Sequence, residues 1–584
     1  MILQALKEYY DRKAAEPESG IAKLGWEWKA IPFVINISSN GSFIRIEDTR
    51  DGKSAKPFLV PTLGESKGNG VKSNFPWENA EYIFGVPIKE DKNNKVHDRE
   101  AEFRRRLNEY ASQDWAEAIL TFLDSADTQN IAENFKMEWA QILKGAYMLF
   151  AIDSIPVSDL DAFKKCYHLP SGQTCVCLTS GVHETLKEKE PPIKGGGFFK
   201  RTPTESVKSE LHIVSFNEES FTSFGKKQGF NAPISQTASF AYTNALNHLL
   251  QSGSRQKMLV GDATVVWWAE RSGEPLEEDL IDFFAEPPKD DPDRNVQAVE
   301  ALYRSVDTGA FAVDAAAGRF YVLGLAPNAA RISVRFWTVG TAAELATRFR
   351  RYFEDLEIAR GPNDKKHLSL WRLLVSTAPL GKSENIAPNL AGETMRSILA
   401  GTPFPETLLQ AAIRRCVVEH AVPYARAKLI KGCLNRKLKN NNPKKEKELT
   451  VSLDKENTNT GYLLGRLFAV LEKIQTDANP GINATIRDKF YATASSSPVA
   501  VFANLMRLKN HHLAKIGGGG RVRYEQMIGE IAALLPPEFP AHLSLDDQGR
   551  FAIGYYHQNR DLWTSKKDKA ESADKAAETT STEN

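Results

Sequence analysis

The segment Gly64–Ser73 is the part of the chain most similar to a phosphate-binding site. It is rich in glycine and ends in Gly70-Val71-Lys72-Ser73, like the end of a P-loop. In a P-loop the lysine follows the last glycine directly, because the backbone amides and the ammonium must meet the same phosphates. Val71 separates the two here, and no strong strand pattern precedes the loop. We therefore expect no nucleotide site in this segment.

A second group has the side chains that zinc prefers: Cys166, Cys175 and Cys177, with His168 and His183 close by. Structural zinc sites usually combine two matched pairs of ligands, and this Cys-x-Cys pair has no second pair. Buried cysteines on a strand are the better interpretation. The chain also lacks the Gly-x-Ser-x-Gly elbow, the His-Glu-x-x-His helix and the Gly-x-Gly-x-x-Gly fingerprint. We predict no catalytic residue, no cofactor and no metal.

A basic segment suggests nucleic-acid binding more than catalysis. Residues 414–447 hold eleven Lys or Arg against two Glu, whereas the net charge of the whole chain is only +1. One interpretation is a surface that follows phosphates, which would make binding depend on salt. The other is a solvated linker, which we favour from Leu438 onward. Composition alone leaves both open for the rest.

The elements expected to position these residues change character along the chain. The N-terminal part mixes strand and helix patterns, and Asn40-Gly41 predicts a hairpin turn between two β-rich runs. Helical spacing of apolar residues follows, and further strand patterns return later. The predicted strands are 30–37, 42–47, 174–178, 211–216, 257–269, 319–325 and 331–339, and the predicted helices are 99–131, 134–150 and 235–252.

These patterns predict an α+β protein of several domains, as its 584 residues require. Residues 1–340 would form a mixed α/β body with β-hairpins and inserted helices. A helical region (341–438), a polar linker (439–461) and a C-terminal helical bundle (462–562) would follow. Residues 563–584 lack aromatics and are rich in Lys, Glu, Ala, Ser and Thr, which predicts a disordered tail.

Composition also bounds the compartment. No run of about 18 apolar residues is present, so we expect no membrane span. The N-terminus lacks the basic-then-apolar order of a signal peptide. Five cysteines are too few for a disulfide scaffold of this size, which fits a reducing cytoplasm.

Long blocks of the sequence resemble one known family, the large subunit of the type I-C CRISPR surveillance complex Cascade (the Csd family). They are MILQALKEYYDR (1–12), FAYTNALNHLL (240–250), VGDATVVWWAE (260–270), LGLAPNAARISVRFW (323–337), GRLFAVLEKIQTDAN (465–479), NATIRDKFYATASSSPVAVF (483–502) and FPAHLSLDDQGRFAIGYYHQ (539–558). The blocks cover nearly the whole chain and are not generic helix or nucleotide-binding patterns.

The resemblance implies a DNA-sensing subunit rather than an enzyme. Such a subunit would recognise the PAM, a short duplex motif beside the target, promote unwinding and R-loop formation, and help hold the displaced strand. The implied partners are backbone subunits with guide RNA, a small subunit, target double-stranded DNA and a helicase-nuclease. Base pairing with the guide would do most of the sequence recognition, as in guided effectors generally.

Two glycine-containing loops have the chemistry for PAM recognition, since Lys can bind phosphates and Asn or Gln can bind base edges. Gln228 or Gln236 could act as a wedge between base pairs. The predicted DNA- and PAM-binding residues are Lys67, Asn69, Lys72 and Asn74 in the first loop, Lys226, Lys227, Gln228 and Asn231 in the second, and Gln236 at the start of the helix that follows it. An ordinary surface turn is the alternative for each loop.

The C-terminal bundle carries further cations that could follow the displaced strand. They are Arg466, Arg487, Lys489, Arg507, Lys509, Arg521 and Arg523. In this family the small subunit is understood to arise from an internal start in the same gene. Met395 lies upstream of the bundle and Met506 within it, so we predict a non-AUG start between Tyr462 and Val470.

Two other functions stay open. A nuclease that processes guide RNA would need a general base and an electrophilic stabiliser near a phosphate, and no residues mark such a pair. A purely architectural scaffold would tolerate changes in both loops without loss of DNA binding.

Overall fold

The structure, a computed structural model, places most of the chain in two compact units. The described residues of 1–197, 207–252 and 328–332 form the first unit, and those of 253–327 and 333–584 the second. The structure describes all residues except 53, 63–70, 89–94, 169–171, 195–210, 217, 261–262, 292, 309–317, 329–330, 388, 442–448 and 564–584. The predicted tail therefore lies outside the described residues, apart from Trp563.

The first unit mixes short strands with helices. Its strands are β1 (Trp26–Ala30), β2 (Phe33–Ile37), β3 (Phe43–Asp48), β4 (Arg50–Asp51), β5 (Ser54–Ala55), β6 (Pro57–Pro61), β7 (Trp77–Glu78), β8 (Met148–Ile152), β9 (Ile155–Pro156), β10 (Thr174–Val176) and β11 (His183–Thr185). Its helices are α1 (Ile2–Ala15), α2 (Ala80–Ile83), α3 (Lys95–Asn108), α4 (Asp114–Ser125), α5 (Thr128–Asn134), α6 (Lys136–Ile142), α7 (Asp161–Cys166) and α8 (Gln236–Leu250).

A five-stranded sheet forms the centre of this unit, with β3, β2, β8 and β7 side by side and β9 paired to β8. Strand β2 runs parallel to β8 and antiparallel to β3. Because side chains alternate along a strand, Phe33 and Ile35 face one core with Phe103. Val34 faces a second, smaller core with Trp77. Both faces of β2 are therefore buried.

The predicted hairpin around Asn40-Gly41 is confirmed by the β2–β3 pair, and Gly41 has the positive φ of 83° that such a turn favours. Helix α8 confirms the helix predicted at 235–252. The predicted helix over 134–150 is wrong at its end, because Met148–Ile152 form β8. This run is apolar at every position, so periodicity cannot separate a strand from a helix there. Residues 211–216 make only isolated bridges, not the predicted strand.

The second unit has one sheet followed by helices. Its strands are β12 (Lys257–Val260), β13 (Ala263–Ala269), β14 (Arg319–Asn328) and β15 (Arg331–Thr341). Its helices are α9 (Leu276–Phe284), α10 (Arg294–Asp307), α11 (Ala342–Leu356), α12 (Leu370–Val375), α13 (Leu390–Ala400), α14 (Glu406–Glu419), α15 (Tyr424–Asn441), α16 (Thr460–Ala478), α17 (Ile486–Ser496), α18 (Phe502–Leu513), α19 (Gly518–Leu534) and α20 (Leu545–Trp563).

The four strands pair in chain order. The predicted strand 257–269 is in fact two strands, β12 and β13, which pair antiparallel. The predicted strands at 319–325 and 331–339 are confirmed by β14 and β15. The α+β class, with a mixed N-terminal part followed by helices, is confirmed.

Helices α16 and α20 pack with their backbones in contact. A Cβ added at Gly465 would lie 2.0 Å from the Phe551 carbonyl oxygen, and one at Gly554 would lie 2.0 Å from the Tyr462 carbonyl oxygen. Polar bonds join the same two helices: the Tyr555 hydroxyl donates to Glu472 at 2.6 Å, and Tyr462 meets His557 at 3.0 Å. Only glycine permits so close an approach.

Along the parts of the chain that the structure describes, no helix is both long enough and apolar enough to cross a membrane.

We expect Gly465→Ala and Gly554→Ala to lower the free energy of unfolding by about 1–3 kcal/mol or more, because each added methyl overlaps a backbone oxygen. Gly529→Ala is the matched control, since Gly529 is also inside a helix but has open space around it. That variant should be unchanged or more stable by up to about 1 kcal/mol. Denaturant unfolding of the three variants decides the matter, and equal stabilities would contradict the close packing.

Candidate nucleic-acid interface

The first predicted loop is only partly described, since Lys67 and Asn69 lie outside the described residues. Lys72 is exposed, as a phosphate-binding lysine must be. Asn74 is buried instead. Its backbone and side-chain N–H groups both donate to the Glu78 carboxylate, at 2.9 and 3.2 Å. Asn74 therefore anchors the end of the loop to β7, and the prediction that it contacts a base does not fit its position.

The second loop contains a tight turn from Ser223 to Lys226. The Lys226 N–H donates to the Ser223 carbonyl at 2.9 Å, and the two central residues, Phe224 and Gly225, have φ values of 51° and 70°. Two positive φ values in succession are typical of a type I′ turn, which favours Asn-Gly. A bulky residue in this conformation costs about 1–3 kcal/mol. The turn is therefore strained at Phe224.

The rest of this loop is held in place by hydrogen bonds to backbone carbonyls. Gly229 donates to the Glu188 carbonyl at 2.9 Å, and an added Cβ there would lie 2.3 Å from the Lys187 carbonyl oxygen. The Asn231 amide donates to the Lys226 and Gln228 carbonyls, at 3.0 and 3.1 Å. Asn231 therefore fixes the loop, a positioning role in place of the predicted DNA contact.

A buried carboxylate supports the chain just before this loop. Glu190 accepts the N–H groups of Ile213 and Val214, at 2.8 and 3.1 Å, and the Tyr242 hydroxyl of α8 at 2.5 Å. Burial, with Glu190 close by, raises the pKa of Tyr242, so its hydroxyl stays a donor. No sequence motif marks Glu190, because its partners are two backbone groups and a tyrosine hydroxyl distant in sequence.

The side chains that this loop presents outward are cationic and aromatic. Lys226 and Lys227 are exposed and make no ion pair among the described residues. Gln228 is half-buried at φ 48°, and Gln236 is the half-buried first residue of α8. Phe224 is 100% exposed. Lys226, Lys227 and Gln228 therefore stay candidates for DNA contact, beside one aromatic that the sequence did not single out.

Part of the basic run has a different role from either interpretation given above, whereas its lysines at 444, 445 and 447 lie outside the described residues. Most of its first part forms α15, and four of the cations on that helix are buried: Arg426, Lys428, Lys431 and Arg436. The described end of the predicted linker also packs, because Leu449 is buried and exchanges two hydrogen bonds of 2.9 Å with Asn435. Buried cations cannot follow phosphates in this fold.

These cations bind the carbonyl ends of three other helices. Arg426 donates to the Ser376 carbonyl at the end of α12, at 2.7 Å. Lys431 donates to the Asp355 carbonyl in the last turn of α11, at 3.3 Å. The C-terminal carbonyls of a helix lack intrahelical partners and carry partial negative charge, so a cation satisfies both needs.

Arg436 and Lys428 complete the set. Arg436 donates to the Ser397 carbonyl in the last turn of α13 at 3.0 Å and to the Thr402 carbonyl just beyond it at 2.8 Å. Lys428 donates to the Lys366 carbonyl at 3.0 Å, and burial lowers its pKa to about 7. The cations of α15 therefore satisfy buried carbonyl groups of the second unit.

Some of the predicted displaced-strand residues are buried or paired, and the others are exposed. Arg466 is buried and donates to Gln558 at 3.2 Å, so it is not placed to contact DNA. Arg487 is half-buried with a Glu472 oxygen at 3.7 Å, and Lys509 pairs with Glu525 at 3.3 Å. The exposed members are Lys489, Arg507, Arg521 and Arg523. These four stay candidates.

The cysteine group makes no metal centre in the described structure, where no cluster of three potential metal ligands occurs. Cys177 is buried, and its sulfur accepts the Ser235 N–H at 3.2 Å. Hydrogen bonds from Ser180 and Ser235 lower its pKa to about 7 even though burial opposes them.

Comparison with known proteins gives one match that spans the fold. The family model Cas_Csd1, described as a CRISPR-associated protein, matches residues 6–563. It confirms the resemblance drawn from the sequence blocks. No curated protein matches the chain.

We expect Arg436→Met to lower the free energy of unfolding by about 1–3 kcal/mol, because the buried carbonyls at the end of α13 lose their donor. Arg507→Met removes an exposed arginine from α18 and should change stability by no more than about 0.5 kcal/mol. Denaturant unfolding of both variants measures this. An unchanged Arg436→Met stability together with weaker DNA binding would return α15 to the interface.

Proposed function

Since the chain belongs to the Cas_Csd1 family of CRISPR-associated proteins and is a component of Cascade, we propose that it is the large subunit of a type I-C complex. It recognises the PAM in duplex DNA, promotes unwinding and R-loop formation, and helps hold the displaced strand. It works by binding rather than by catalysis, together with guide-RNA-bound backbone subunits, a small subunit and a helicase-nuclease.

The observation that supports this proposal is the loop 222–231. Its conformation is fixed by hydrogen bonds to backbone carbonyls, so little backbone entropy is lost on binding. Lys226 and Lys227 can bind phosphates, and Gln228 can donate to and accept from a base edge. Lys72 supplies a further cation in the same unit, from the other loop.

Binding at this loop can promote strand opening without chemistry. A subunit that binds a short duplex motif gains contacts that offset the unstacking of the first base pairs. Pairing between guide and target then carries opening forward. The exposed cations Lys489, Arg507, Arg521 and Arg523 would hold the displaced strand through its phosphates.

We expect Lys226→Ala plus Lys227→Ala to weaken binding of the assembled complex to every duplex and to lower the salt dependence, by about one unit of slope per lost phosphate contact. Gln228→Ala should instead reduce the preference for PAM-containing duplex, by about 5- to 150-fold if a bidentate base contact is lost. Binding is measured against salt concentration with and without the PAM.

Lys164→Ala plus Lys165→Ala is the matched control, because these lysines are also adjacent and exposed in the first unit. It should leave both the affinity and the salt slope unchanged. If PAM preference survives all loop variants, the architectural scaffold is the better description. Cleavage of precursor RNA by the purified chain would favour the nuclease instead.

We also propose that the small subunit is made from an internal start between Tyr462 and Val470. A start after Tyr462 removes the Tyr462 carbonyl that packs on Gly554 and the Asn459 side chain that caps α16, whereas a start before Gly465 keeps the Gly465–Phe551 contact. Mass spectrometry of the complex expressed from this gene should detect a fragment of about 115 residues, one domain's worth of chain. Its absence from an assembled, active complex would exclude the internal start.

A further inference from the structure

Phe224 breaks two local rules at once. The position at the start of a type I′ turn favours Asn or Gly, yet it holds an aromatic residue at φ 51°. The side chain is also 100% exposed and makes no ring contact within the described part of the chain. Nothing described in the fold offsets either penalty, which indicates that the side chain serves a contact outside the chain.

The loop holds the backbone at Phe224 in one conformation. The Ser223–Lys226 hydrogen bond closes the turn, and Asn231, the last residue of a 3₁₀ turn (Gln228–Asn231), donates to the Lys226 carbonyl. Gly229 docks the loop on the backbone at Glu188. Because the backbone under the ring is already ordered, binding there costs little backbone entropy, and the exposed ring is free to insert between other groups.

The charge beside the ring indicates its partner. Lys226 and Lys227 follow Phe224 within three residues, and both are exposed. An aromatic face that stacks on a base, next to cations that bind the backbone, is the usual combination for single-stranded nucleic acid. An apolar pocket on a protein partner would account for the ring but not for the two lysines.

Resting on the proposed function, we propose that Phe224 stacks on a base unpaired beside the PAM and is the wedge that keeps the first base pair open. Lys226 and Lys227 hold the phosphates that flank this base. The assignment replaces Gln228 and Gln236 as wedge residues, because both are half-buried while Phe224 projects fully. Gln228 then keeps only the base-edge contact of the duplex.

The test uses the complete complex with guide RNA and target duplexes that carry 2-aminopurine in the first base pair beside the PAM. Phe224→Asn introduces the residue that the turn favours, so the variant should fold at least as well as the wild type. Phe224→Trp keeps a stacking face. The rate of fluorescence increase reports opening, and equilibrium binding to a PAM duplex too short to pair with the guide reports recognition.

We expect Phe224→Asn to slow opening by about 5- to 150-fold, the range for loss of one stacked base, with PAM binding unchanged. Phe224→Trp should stay within about threefold of the wild type, since it keeps the stacking face. A target with a mismatched, already open first base pair should restore the rate of Phe224→Asn. Opening of the intact duplex by Phe224→Asn at the wild-type rate would overturn the proposal.

Two further outcomes would also overturn the proposal, and each indicates a different explanation. If the open target does not restore Phe224→Asn and native mass spectrometry shows a lost subunit, the ring binds a protein partner. If the wild-type complex itself shows no PAM dependence, the proposed function fails before the wedge is at issue. If the wild-type complex depends on the PAM but Phe224→Asn opens the duplex at the wild-type rate, the proposed function stands and only the wedge assignment is wrong.

Discussion

The second unit depends on a requirement that buried cations impose: each must meet an acceptor inside the protein. On α15 the acceptors are carbonyl oxygens at the ends of α11, α12 and α13, bound by Lys431, Arg426 and Arg436. Three helices must therefore end against one helix. The carbonyls need the cations as much as the cations need the carbonyls, because a buried helix end without a donor is as unfavourable as a buried cation without an acceptor.

The glycine contacts extend this arrangement toward the C-terminus. Gly549 of α20 faces Ile430 and Leu434 of α15, and Gly465 and Gly554 bring α16 against α20. A polar break in the sequence around 439–461 thus separates helices that share one hydrophobic core. A break in composition marks a place where the chain leaves a helix. Whether the flanking helices share a core depends on which helix faces pack together, and composition does not contain that information.

Sequence patterns predicted elements better than the roles of single residues. The β2–β3 hairpin, α8 and the β14–β15 pair each carry a local signal, but β8 does not, because a strand buried on both faces shows no alternation. Two asparagine side chains show why binding residues are harder to predict from sequence than helices and strands. Asn74 and Asn231 resemble base-contacting residues, yet one binds Glu78 and the other its own loop. Their partners are a carboxylate and backbone carbonyls, which no motif announces.

Basic residues also differ in whether their N–H groups already have partners inside the protein. This difference decides which of them can bind a phosphate. A cation whose donors are used by carbonyls, such as Arg436, has none left for a phosphate, whereas exposed Lys226 can exchange water for one. Charge counts cannot make this distinction, but violations of local rules can help. The fold is consistent along α15, where every buried cation found an acceptor, and inconsistent at Phe224, where turn preference and burial are both ignored. Such an inconsistency is a more specific indication of binding than the basic run, because breaks in local rules are expected at functional or strained sites.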